Sequence, residues 1–498
     1  MTGERIPLLR HLGKLASHSA VYGAADVFTT VVNLLLIPLY TTYLGAIEYG
    51  HLALLLLFST AAKIVFRLGL DAGFFRVHYD METDGERRRL AGTVAMFAVA
   101  AASVLMAGVV ALRGPITRAL LGAGVPEGWI VLAAGDVFLG TFAFVPLSLL
   151  RIQDRPRLFS ALSVVRHAVN IGLKVALVTA GHGIAGILWA DLAATAVFVL
   201  TLAPILMRNA EAAFSVPLLR DVLGFGLPKV PHGLMLQVLN LADRKILDVF
   251  ATRGEVGLYH MGYTFGGGVK FALSAFEPAW GPFVYAQARL PGGALTLARV
   301  ATYAYAGFAA AALGVAALGP DLLRLMTPNN PAFRAAAPII PVVALAYLLH
   351  GLFLLTSVGI GIAREARFYP IVTAAAAATN VAANLLLIPR FGAMGAAWAT
   401  VLAYAVMAVA GHAFSRRVFP IPFEGGRFLR LTAAAGAAFA LCAAVPGEDT
   451  AAATLRAVAL LAYPIYSGPM RGARWIAGLG AGRGPLPDPD PGGAVTPS

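Results

Sequence analysis

The run LAGTVAMFAVAAASVLMAGVVAL, residues 90–112, holds no charged residue and is long enough to cross a bilayer as a helix. Comparable runs recur near 17–44, 49–75, 129–150, 157–180, 184–207, 219–250, 254–287, 295–319, 334–360, 366–388, 393–415, 428–446 and 451–468. A chain segment in lipid must satisfy its backbone hydrogen bonds internally. The sequence therefore predicts an all-α polytopic membrane protein with about fourteen transmembrane helices. With 59% hydrophobic and 13% charged residues in 498, an ordinary soluble domain is excluded.

The net charge of +13 does not imply a nucleic-acid partner, because the Lys and Arg residues mark loops on one side. With the N-terminus taken as cytoplasmic, about 23 of the 38 fall in inner segments and about 7 in outer ones. That bias predicts cytoplasmic termini for a multi-pass membrane protein. Residues 1–16 lack the apolar core and cleavage site of a removable signal peptide and predict a short basic interfacial helix. The single cysteine, Cys442, rules out intramolecular disulfides, and the Pro- and Gly-rich tail 469–498 predicts disorder.

Eight cations remain inside predicted spans: Lys63, Arg67, Arg166, Lys174, Lys229, Arg244, Lys245 and Lys270. A charge at a helix centre costs roughly 2.5–3.5 kcal/mol on insertion scales, so each calls for a partner or a wet cavity. Arg67 with Asp71, and Arg244 with Asp248, stand four apart and are expected to form local ion pairs. Arg166, Asn170 and Lys174 share a helix face that carries no acid of its own. Asp26, Asp136, Asp191 and Glu277 are candidates for counter-charges or for proton or cation sites.

An internal repeat organises these residues. At an offset of about 207, Asn33 meets Asn240, Glu48 meets Glu255, Gly50 meets Gly257 and Lys63 meets Lys270. NIGLKVALVTAGHGIAGILWA (170–190) also matches NVAANLLLIPRFGAMGAAWA (380–399), pairing Asn170 with Asn380, Gly183 with Gly392, Gly186 with Gly395 and Trp189 with Trp398. Two six-span lobes are expected, 17–208 and 219–417, followed by two extra spans over 428–468. Six is even, so the repeat is parallel, and a transport pathway would lie between the lobes. For the glycines, Asn170, Trp189 and their mates, helix packing alone is a sufficient account. Lys63 and Lys270 lie too deep to snorkel, and two repeat-related ammonium groups suit an anionic substrate on the axis, unless acids on other helices pair them.

No GxxxxGK[ST] phosphate loop is present, and GGGVKF (266–271) has neither its spacing nor its hydroxyl residue. DMETDGE (80–86) would need a carboxylate where Ala91 stands to complete a calcium loop, and reads instead as a solvated acidic loop. The histidines, His260 and His350 among them, show no metal-binding spacing.

YLGAIEYGHLALLLLF with LGLDAGFFRVHY resembles the start of bacterial lipid-linked oligosaccharide flippases, the Wzx-type polysaccharide biosynthesis proteins of the MOP exporter superfamily. LADRKILDVFATRGEVGLYHMGYTFGGGVKF and AFEPAWGPFVYAQ are similar to the start of that family's second lobe, so the likeness covers roughly 17–417. The resemblance implies a location in the cell inner membrane and a V-shaped pair of lobes alternating between inward-open and outward-open forms. A polyisoprenyl-pyrophosphate-linked oligosaccharide would pass its head group through the cavity while its lipid stays in the bilayer. Membrane lipids, a polysaccharide polymerase and chain-length proteins are the partners implied; no cofactor is implied beyond a coupling cation or proton. Lys63 and Lys270 are the expected pyrophosphate ligands, with Arg67, Arg166 and Lys174 as secondary contacts. Asn33, Asn240, Arg244, Asp248, Asp26, Asp71 and Glu277 are expected to line the cavity or its gate. A peptidoglycan lipid-precursor flippase and a cation-coupled drug antiporter are the alternatives within the superfamily. A membrane glycosyltransferase or polymerase is the alternative of a different class, disfavoured by the two-lobe repeat and short outer loops.

Overall fold

The computed structural model describes residues 36–153, 155–365 and 367–444, and every α-helix or 3-10 turn among them continues an all-helical chain. Eight helices among the described residues are long and apolar enough to cross a membrane, against about fourteen expected. The start of the first predicted span, the last span near 451–468, Asp26 and Asn33 lie outside the described residues.

Two predicted spans miss that measure because they are broken and charged. The 219–250 run divides into Val216–Gly226 and Lys229–Phe250, separated at Leu227 and Pro228. The 254–287 run divides into Arg253–Gly266 and Val269–Gln287, separated at Gly267 and Gly268. Proline withholds a backbone donor and glycine weakens helix propagation, so both breaks have local causes.

In chain order, the elements used below are α1 (Ile37–Tyr43), α2 (Ala46–Arg67), α3 (Leu70–His78), α4 (Asp84–Ala111), α5 (Arg113–Leu120), α6 (Gly128–Phe142), α7 (Phe144–Ile152), α8 (Pro156–Thr179), α9 (Gly183–Asn209), α10 (Val216–Gly226), α11 (Lys229–Phe250), α12 (Arg253–Gly266) and α13 (Val269–Gln287). They are followed by α14 (Gly293–Met326), α15 (Ile339–Thr356), α16 (Val358–Ile362), α17 (Phe368–Val418) and α18 (Gly425–Ala444). Two expected spans, 366–388 and 393–415, run together as α17, which kinks at Gly392 (φ 53°, ψ −133°).

The repeat is written into the helix ends. Glu48 and Glu255 both occupy the third position of their helices. Glu48 accepts from the Gly45 N–H at 2.9 Å, and the Glu255 N–H donates to Thr252 Oγ1 at 3.3 Å. A carboxylate in the first turn also complements the helix dipole. Gly183 and Gly392 each take a left-handed conformation at a helix–helix turn, φ 51° and 53°. Backbone conformation thus favours glycine at both, in addition to close packing at Gly392, where a Cβ would lie 2.7 Å from Glu255 Oε2. Gly186 and Gly395 do pack tightly, since a Cβ would lie 3.0 Å from Leu177 Cβ and 2.5 Å from the Leu387 carbonyl. Trp189 and Trp398 turn outward.

The two halves meet at glycines. A Cβ on Gly50 of α2 would fall 2.2 Å from the Arg253 carbonyl, and one on Gly257 of α12 only 2.1 Å from the Ala46 carbonyl. Repeat-related positions thus touch each other across the axis. At the other end of α2, Leu68 and Gly69 adopt left-handed backbone (φ 49° and 71°) and end the helix. Gly69 then abuts Gly226 of α10, with each absent Cβ within 2.2 Å of the opposing carbonyl. The connecting segment is fastened to α4: Glu211 N–H donates to Arg88 O at 2.9 Å, and Thr93 bridges Ala213 and Ser215.

Candidate functional site

Each half carries a charged cluster around its repeat-related lysine. In the first, Lys63 projects from α2 without an ion pair among the described residues, within electrostatic range of Arg67, Arg166, Asp136 and Asp71. Arg67 pairs with Asp71 at 3.6 Å across the helix break, as expected, while its Nε lies buried without a hydrogen-bond partner. Arg166 donates to Thr195 Oγ1 at 3.0 Å, packs its guanidinium 5.0 Å from the Phe198 ring centre, and through Thr195 communicates with Asp136.

The acid-free stripe on α8 finds its acids on neighbouring helices. Asn170 donates to Asp191 Oδ1 at 2.8 Å, and Lys174 pairs with the same oxygen at 2.8 Å. Lys174 is buried, 8% exposed, and also bonds Tyr40. The structure thus places Lys174 inside the first half, where it joins α1, α8 and α9.

The second cluster is built around aromatic rings that sequence reasoning missed. Asp243 and Arg244 form a 2.9 Å ion pair with side chains 1% and 3% exposed. Tyr259 donates its hydroxyl to Asp243, and Tyr347 donates to the Tyr263 hydroxyl at 3.0 Å. Tyr404 completes the hydroxyl network. The Arg244 guanidinium lies 4.5 Å from the Tyr263 ring centre. Lys270 Nζ sits 4.7 Å above the Tyr347 ring and 5.9 Å from that of Tyr263. Rings attract a cation through their π faces, so Lys270 is held in place without an ion pair among the described residues. His350 stacks on Tyr404, ring centres 5.1 Å apart. A visible signal existed: Tyr259 and Tyr263 stand one turn apart on α12, which a break separates from Lys270.

One expected pair is wrong. Arg244 bonds Asp243 rather than Asp248, because Asp248 is already claimed by Lys245 at 2.8 Å and by Arg253 at 2.6 Å. Arg253 opens the next helix, and the tight turn at Ala251 and Thr252 brings it back over α11. Asn240 lies on α11, and Glu277 is an exposed residue of α13 without an ion pair among the described residues. Among the described residues no group of three or more His, Cys, Asp or Glu side chains could hold a metal ion.

Residues 43–269, slightly under half of the chain, match the family model described as "Polysaccharide biosynthesis protein". The match marks a similarity over those residues, and beyond them the likeness to known proteins is one of fold. The fold superposes on lipid II flippase MurJ in an inward closed conformation with a TM-score of 0.68 at 13% identity, covering 92% of this chain and 100% of that one. An inward-facing multidrug resistance MATE family transporter of the MOP superfamily gives 0.63 at 16%, covering 81% and 96%. A MOP superfamily transporter from Pyrococcus furiosus, described as having a binding pocket of reverse polarity, gives 0.55 at 14%, covering 84% and 96%. No curated protein matches the sequence. The superposed structures are a flippase and transporters, and at 13–16% identity the likeness is one of fold.

Proposed function

We propose that this MOP-type protein flips a polyisoprenyl-pyrophosphate-linked oligosaccharide across the inner membrane for O-antigen, capsule or exopolysaccharide synthesis. The Gly50 end faces outward and the Gly69 end faces the cytoplasm, as the loop charges favour. Lys63 and Lys270 receive the pyrophosphate in turn. Arg67 and Arg166 support Lys63, whereas Lys174 acts from within the lobe by holding Asp191. The observation that carries this reading is the pair of repeat-related lysines, each without an ion pair among the described residues, each beside further arginine. A cation-drug antiporter would place acids there instead. A peptidoglycan lipid precursor shares the pyrophosphate and is separated from an oligosaccharide carrier only by its glycan. A proton or cation gradient drives the cycle, and polymerase and chain-length proteins take up the product.

Replacing Lys63 or Lys270 with Gln should reduce glycan appearance on the outer leaflet by about tenfold or more, the loss expected when one charge-assisted contact disappears. Unchanged flux at normal protein levels would overturn the assignment. Isolating the lipid-linked species that accumulates on depletion identifies the glycan.

A further inference from the structure

At the Gly50 end the halves are joined by more than glycine contact. Helix α5 of the first half stops at Leu120, and its last carbonyls point toward α11 and α12 of the second. Lys245 Nζ donates to the Leu120 carbonyl at 3.3 Å, and the Arg253 guanidinium donates to the Leu121 carbonyl. Terminal carbonyls have no intrahelical donor and carry the negative end of the helix dipole, so two cations are well matched to them. Gly122 makes room: its φ is +90°, and a Cβ there would lie 2.8 Å from Arg253 Nη2.

Both cations are aimed by one carboxylate. Asp248, with a side chain only 4% exposed, binds Lys245 at 2.8 Å and Arg253 at 2.6 Å. Without that negative charge, the ammonium and guanidinium would repel each other at the spacing needed to reach adjacent carbonyls. All three residues are on the second half, and both acceptors are on the first. Moving the halves apart at this end must break both hydrogen bonds while leaving the Asp248 ion pairs whole.

We propose that Lys245, Arg253 and Asp248 form an electrostatic latch that closes the Gly50 end, with Asp248 the positioning residue that keeps both cations on the α5 terminus. The latch releases as a unit, because its internal ion pairs travel with the second half and spare the separated cations from being left uncompensated. Its role in transport rests on the alternating-access reading above, but its existence does not.

The test uses proximity rather than flux, so that a wrong substrate assignment cannot affect it. A Cβ built on Gly254 lies 4.0 Å from Ala46 Cβ, across the same interface. That distance is inside the roughly 3.5–4.5 Å range that a disulfide bridges. In a Cys442→Ser background, Ala46→Cys with Gly254→Cys should cross-link readily in membranes under mild oxidant. Adding Asp248→Asn should slow cross-linking by about tenfold or more, the factor carried by one lost charge-assisted hydrogen bond. Lys245→Gln with Arg253→Gln should slow it similarly and serves if Asp248→Asn does not fold. Cross-linking within about twofold of the parent rate in both backgrounds would overturn the latch, as would a parent pair that never cross-links.

Discussion

Placing a methyl group where Gly257 stands is the most direct physical test of how the two halves meet. The new Cβ would lie 2.1 Å from the Ala46 carbonyl oxygen, and the repeat-related change at Gly50 would put one 2.2 Å from the Arg253 carbonyl. To restore van der Waals contact near 3.4 Å, α2 and α12 must separate by roughly 1.2 Å. Both obstructing atoms are backbone, so no rotamer change relieves the clash. Overpacking of this kind costs about 1–3 kcal/mol. The cost falls only on the conformation in which these helices touch, so the equilibrium between closed and separated ends should shift by about 5- to 150-fold. The measurement is alkylation of Ala46→Cys by a thiol reagent in the Cys442→Ser background, with and without Gly257→Ala. A second expectation sharpens it: Gly50→Ala and Gly257→Ala wedge the same contact, so the double variant should add little to either single one. Equal alkylation rates in folded Gly257→Ala and parent protein, or fully additive effects, would refute the idea that this contact opens.

Two further outcomes follow from the second cluster. Asp243→Asn leaves a guanidinium that is 3% exposed without its carboxylate, and should destabilise the protein by about 3–5 kcal/mol in a detergent melt; an unchanged melting temperature would show that Arg244 draws its compensation elsewhere. Tyr347→Phe keeps the ring beneath Lys270 and removes only the hydroxyl with its bonds to Tyr263 and Tyr404, so transport should survive it, whereas Tyr347→Ala should lower transport several-fold. Equal transport by the two variants would separate Lys270 from its ring.

The sequence made the membrane class plain because apolar runs of bilayer length leave few alternatives. The repeat was legible in residues whose identity is fixed by close approach or backbone angle: Gly50 and Gly257 touch, while Gly183 and Gly392 share a left-handed turn. Continuity of the spans was less legible. The residues that break them, Pro228 and the triple glycine 266–268, sit inside runs whose hydrophobicity suggests uninterrupted crossing. Charge partners were the least legible. Asp248 lies one turn from Arg244, but the turn between α11 and α12 delivers Arg253 to it instead. Likewise the acid that answers Lys174 comes from α9, at a separation no helical period encodes. The tyrosines around Lys270 come from α12, α15 and α17, so only the folded chain gathers them.

Lys63 and Lys270 are equivalent by position but not by surroundings. The first stands among Arg67 and Arg166, with Asp71 and Asp136 close by. The second rests on aromatic faces beside an arginine whose charge Asp243 already balances. In the proposed function, an anion arriving at the first would relieve repulsion between like charges, whereas at the second it would meet an ammonium resting on a ring beside an already paired arginine. Under the proposed function the two stations would hold the same anion unequally, which sets where it rests within the protein, while the net direction of transport comes from the gradient.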